Sequence, residues 1–84
     1  MQFTKEEKEN LLECVRMVRE NHEHYVDSAF ETNGKEVIEE ATTKHMELLD
    51  LEIKLIVAIG NPEAVKDVLN LKKELLEKVE AYSY

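Results

Sequence analysis

Gly60-Asn61-Pro62-Glu63 is the strongest punctuation in this chain, and it leaves few folds open. A glycine stops one helix, an asparagine caps the next, proline suits the first helical position and glutamate favours the first turn. Only one other glycine occurs, Gly34, and no other proline. The stretches on either side of these breaks therefore run without interruption.

Near the start, Thr4-Lys5-Glu6-Glu7 has the spacing of a capping box, in which hydroxyl and carboxylate each accept the other residue's backbone N–H. Apolar residues then recur at Leu11, Val15, Val18, Tyr25 and Ala29, the alternating three-and-four spacing of a helix face. Thr32-Asn33-Gly34 ends that run, because Asn and Gly tolerate the left-handed conformation of a helix end. A second helix is expected over 35–59 and a third over 62–82, after a first over 5–31. No segment alternates with period two for long enough to make a strand.

At 1.5 Å per residue the three helices measure about 40, 37 and 31 Å. Links this short make neighbours antiparallel. The expected fold is all-α: a single domain over 1–84, arranged as a three-helix up-down-up bundle.

The middle helix is richer in apolar residues than such a bundle needs. Ile38, Ala41, Leu48, Leu49, Leu55, Ile56 and Ile59 share one face, with Met46, Ile53 and Val57 on one flank and Leu51 and Ala58 on the other. That arc covers about 260°, where one packed face needs ~100° or more. Contact with two neighbouring helices covers only part of it. The remaining flank predicts association as a homodimer, with Met46, Ile53, Val57, Leu51 and Ala58 as interface candidates.

Four ionisable residues fall on the apolar seams. His22 lies between Val18 and Tyr25; His24 points away from it to solvent; His45 and Glu52 lie one above the other on helix 2. Lys72 sits among Val68, Leu69, Leu75 and Leu76. A hairpin turning at Asn33-Gly34 sets His22 opposite His45, and one turning at Asn61 sets Glu52 opposite Lys72. Two polar core layers are expected, a histidine pair and a Glu52–Lys72 ion pair. Such a buried ion pair fixes register more than it adds stability.

Two imidazoles fall short of the four ligands, or three plus water, that zinc takes. The residues three before the histidines are Arg19, Asn21 and Thr42, so the Glu-x-x-His motif of di-iron bundles is absent. His22 and His45 remain metal candidates only if a dimer axis gathers four histidines; no metal or cofactor is expected. Neighbouring imidazoles do resist double protonation, which makes the pair a candidate pH sensor.

No phosphate-binding glycine loop and no Cys-x-x-Cys occurs, and Cys14 has no histidine at helical spacing. The chain is not expected to be an enzyme. Its opening, MQFTKEEKEN, lacks the apolar run of a signal peptide, and LIVAI (55–59) is far too short for a membrane span. A cytoplasmic location is expected.

Nineteen acidic against eleven basic residues give a net charge of −8. Nucleic acid and anionic lipid are polyanions and are disfavoured as partners. Helix 1 carries four basic and eight acidic residues, with Glu9, Glu13, Glu20, Glu23, Asp27 and Glu31 spread along it. That row suits a protein-interaction module, a regulator or inhibitor that covers a basic protein surface, with nucleic-acid mimicry as one form. The alternatives are a metal- or pH-responsive dimeric sensor built on His22–His45, and a structural subunit of an assembly.

Overall fold

The computed structural model describes residues 2–32 and 34–82, and they form three helices. Helix α1 spans Lys5–Thr32, α2 Lys35–Ile59 and α3 Val65–Tyr82, with one 3-10 turn, Pro62–Ala64, leading into α3. Among the described residues there is no strand. The molecule is a rod of 45 × 19 × 18 Å, close to the length of its longest helix.

Each boundary has a local cause. The Thr4 amide donates to Glu7 Oε1 at 2.8 Å and the Glu7 amide to Thr4 Oγ1 at 3.1 Å, so the capping box closes in both directions. Those hydrogen bonds hold the Glu7 carboxyl below its ordinary pKa. Helix α2 ends at Gly60, whose φ of 91° is left-handed. The Gly60 amide reaches the Val57 carbonyl and the Asn61 amide reaches that of Ile56, a Schellman closure.

Two expected caps take another form. Asn61 precedes Pro62 but makes no side-chain cap; its carbonyl accepts the Ala64 amide in the 3-10 turn, so α3 proper begins at Val65. Gly34 is extended rather than left-handed and serves as N-cap of α2, its carbonyl accepting the Ile38 amide. Asn33 lies outside the described residues.

The α1–α2 hairpin holds the most extensive contact, and α3 packs on α2. The core joins Leu12, Val26 and Ala29 of α1, Ile38, Ala41, Leu49 and Ile56 of α2, and Val68 and Leu75 of α3. At one end α3 also reaches α1: Lys78 Nζ donates to Asp27 Oδ1 at 2.7 Å and lies over the Phe30 ring, while Phe30 meets Tyr82 edge to face.

The buried face of α1 corrects the expected one. Of Leu11, Val15, Val18, Tyr25 and Ala29, only Ala29 is buried; Leu11, Val18 and Tyr25 are exposed. The helix turns in a different row, Leu12–Arg19–Val26. Arg19 breaks the apolar pattern of that row, yet the row is buried because Glu52 of α2 waits beneath Arg19.

Candidate functional site

Glu52 is the most enclosed charged residue, at 0% exposed. It does not pair with Lys72, which donates instead to Asp50 Oδ1 at 2.7 Å on the rim of the α2–α3 contact. Arg19 reaches Glu52 Oε1 at 2.6 Å, and Arg16 Nε stands 3.7 Å from Oε2. Lys72 is placed by the periodicity of α3, but its flexible stem carries the ammonium outward past the apolar layer to an exposed carboxylate. Arg19 offers a guanidinium with less hydration to lose, which suits the buried position better.

Burial works against the Arg19 charge, but the Glu52 hydrogen bond and the fields of Glu52, Glu23 and Glu20 outweigh it, so its pKa rises. Glu52 Oε2 makes no hydrogen bond, and neither does the buried Thr42 hydroxyl.

One turn along, the structure brings His22 and His45 together. Their Nδ1 atoms lie 3.0 Å apart and the rings stack at 5.3 Å between centroids, with an interplanar angle of 18°. At that separation one ring carries its proton on Nδ1 and the other presents a lone pair there. The contact therefore needs at least one neutral imidazole.

His45 is 5% exposed and His22 half-buried, with Tyr25 tilted against it. Burial first and the nearby Lys44 second lower the His22 pKa. Burial, then His22 and Arg19, lower that of His45, against opposing pulls from Glu23 and Glu52. Among the described residues, no three His, Cys, Asp or Glu side chains gather into a metal-holding group.

The pair is reached from two sides. His22 and Tyr25 line an open groove with Glu36, Glu40, Lys44 and Glu47 of α2. His45 floors the cleft between α1 and α3, under Glu23 and Asp27 on one wall and Leu71 and Lys78 on the other. His24 stands exposed on the opposite side of α1.

Glu9, Glu13, Glu20, Glu23, Asp27 and Glu31 are all exposed. At 100° per residue they occupy an arc of about 80°, and Asp27 is engaged by Lys78. The flank residues of α2 separate. Met46 and Ile53 are half-buried against the core, Val57 is 60% exposed, and Leu51 and Ala58 are exposed about 100–120° round the helix from Val57.

Arg16, Arg19 and Asp50 are functional-site neighbours that apolar periodicity passes over. For the two arginines the signal is the lone Glu52 on the apolar face of α2, since Arg16 and Arg19 lie one and four residues beyond Val15, the position that faces Glu52 in the His22–His45 register. The described residues make a small all-helical protein of three helices, and no family model, curated protein or solved structure matches the chain. No helix among the described residues is long and apolar enough to cross a membrane.

Proposed function

We propose that this chain is a non-catalytic protein-interaction module, a regulator or inhibitor that lays the acidic row of α1 over a basic surface of a protein target in the cytoplasm. The supporting observation is the exposure of all six carboxylates in one narrow row. From Glu9 to Glu31 the row is about 33 Å long, enough to cross a small domain.

Its steps of three to seven residues are about 4.5–10 Å, wider than the ~3.4 Å per phosphate of a duplex strand. The row therefore fits scattered lysines and arginines on a protein better than a groove that tracks every phosphate, and nucleic-acid mimicry is the looser version of the reading.

The test is affinity capture from host lysate at low and at high salt, repeated with Glu13→Gln, Glu20→Gln and Glu31→Gln combined. Retention of a basic protein that is lost with salt and lost in the triple variant is expected. Capture indifferent to both overturns the reading. A second reading, a pH-responsive element, is favoured by one observation: the direct Nδ1–Nδ1 contact of His22 and His45, which double protonation breaks.

A further inference from the structure

The charges of α1 are sorted by side. From Glu9 to Glu31 the helix carries eight charged residues, Glu9, Glu13, Glu20, Glu23, Asp27 and Glu31 with Arg16 and Arg19, and all fall within about 120° of arc. Between Asn10 and Ser28 another ~120° of the same helix carries no charged residue and is exposed, with Glu7 on the same line one turn before Leu11 and the buried Ala29 one turn after Tyr25. Leu11, Cys14, Met17, Val18 and Tyr25 occupy it, with the neutral polar residues Asn10, Asn21 and Ser28 along its edge.

Asp27–Lys78 and Asp50–Lys72 place α3 on one side of the α1–α2 hairpin. Val18 projects about 180° from Asp27, so the uncharged face lies on the open side, away from α3. Leu51 and Ala58 of α2 are exposed on that same side. Phe3 extends it at the N-terminal end, where Phe3, Asn10, Leu11 and Cys14 line a shallow cleft with Glu7 as its one carboxylate.

We infer that this uncharged face of α1 seats a second copy of the chain, docked antiparallel about a twofold axis passing near Val18. Two features select that occupant. Leu11 and Tyr25 lie seven residues before and after Val18, which is two helical turns in either direction on one line. An antiparallel twofold therefore stacks Val18 on Val18 and Leu11 on Tyr25 twice, the self-complementary pattern of an isologous contact.

The second feature is charge. Two copies at −8 repel and approach most closely through the stretch of lowest charge, which is the α1 face between Asn10 and Ser28, bordered by Glu7 at one end and by Glu36, Glu40, Lys44 and Glu47 beside Tyr25 at the other. A basic target would be drawn to the acidic row instead. Depletion of charge with retention of Met and Tyr is also the composition of an interface centre. The contact runs about 21 Å from Leu11 to Tyr25.

This inference rests on the reading of the chain as an interaction module and names one partner, but the two readings respond to salt in opposite directions. Salt screens the repulsion between like-charged copies and strengthens the dimer, whereas it weakens capture of a basic protein by the acidic row.

The experiment is sedimentation equilibrium of the full chain over a range of concentrations, at low and high salt, for wild type, Val18→Glu and Val57→Glu. Val18 and Val57 are more than half exposed, and circular dichroism checks that both variants fold. A wild-type dimer that tightens with salt is expected. Val18→Glu is expected to weaken it on the order of a hundredfold, because two unpaired carboxylates meet at the axis.

A second readout is disulfide formation by Val18→Cys in a Cys14→Ser background, expected to give covalent dimer under mild oxidation, where Glu20→Cys in the same background does not. A monomer at every concentration, or a dimer that salt weakens, overturns the inference. So does a dimer dissociated by Val57→Glu and indifferent to Val18→Glu, and so does equal crosslinking at positions 18 and 20.

Discussion

Replacing Arg19 with methionine leaves the Glu52 carboxylate enclosed on all sides, with the Arg16 guanidinium 3.7 Å away as its remaining cation. Removing one member of a buried pair costs about 3–5 kcal/mol. Arg16 is partly exposed and free to swing toward Oε2, which places Arg19→Met near the lower end, about 3 kcal/mol. The reverse deletion is not equivalent. In Glu52→Leu the buried carboxylate is replaced by an apolar group of similar volume, and the 13% exposed Arg19 side chain extends along its stem to water. That change is expected to cost at most about 1 kcal/mol, and the double variant to behave like Glu52→Leu alone. Urea unfolding followed by far-UV circular dichroism measures all three. An osmolyte is held constant so that Arg19→Met stays folded, since a domain this small has only a few kcal/mol in hand. Equal losses for the two single variants, or a double variant whose loss is their sum, would refute the asymmetry.

Two further outcomes are expected. Burial lowers the pKa of both His22 and His45, so the unfolded chain takes up protons before the folded one. Stability should be level above the ordinary histidine pKa of ~6.5 and fall as pH drops below it. The urea midpoint measured from neutral to mildly acid pH reads this. His45→Gln should flatten the fall, and an unchanged slope would dismiss the pair as its source. Gly60→Ala should cost about 1–2 kcal/mol from backbone strain alone, because φ is 91° and a Cβ would meet nothing within 4 Å; a thermal melt with no loss contradicts it.

Much of the fold is legible in the residues. The Thr4–Glu7 box, the Gly60–Pro62 break and the antiparallel register that pairs His22 with His45 all depend on local chemistry and short links, which a sequence displays directly. The packed face of α1 was harder to find because two apolar rows compete there. Leu11–Val18–Tyr25 is the cleaner pattern, while Leu12–Arg19–Val26 contains a charge that only a carboxylate on another helix makes tolerable.

Lys72 misleads for the complementary reason. Its backbone position is apolar in pattern, but four rotatable methylenes let the ammonium finish elsewhere. Helical periodicity locates Cα atoms well and long charged tips poorly. The candidate interface residues of α2 show the same limit. Met46, Val57 and Leu51 all lie on an apolar arc, yet which of them face solvent depends on where α3 comes to rest.

The seam between α1 and α3 gives the molecule two tiers of cohesion. Helix α3 supplies only Val68 and Leu75 to the buried core and meets α1 chiefly through the clasp of Asp27, Phe30, Lys78 and Tyr82. Lifting α3 breaks that clasp and its cover over α2 while the α1–α2 hairpin persists, at a smaller free energy than unfolding the whole chain. His45 lies on the floor of that seam. Lifting α3 thus bares the more enclosed imidazole to water and protons, and the strain of its protonation then falls on the α1–α2 hairpin through the His22–His45 contact.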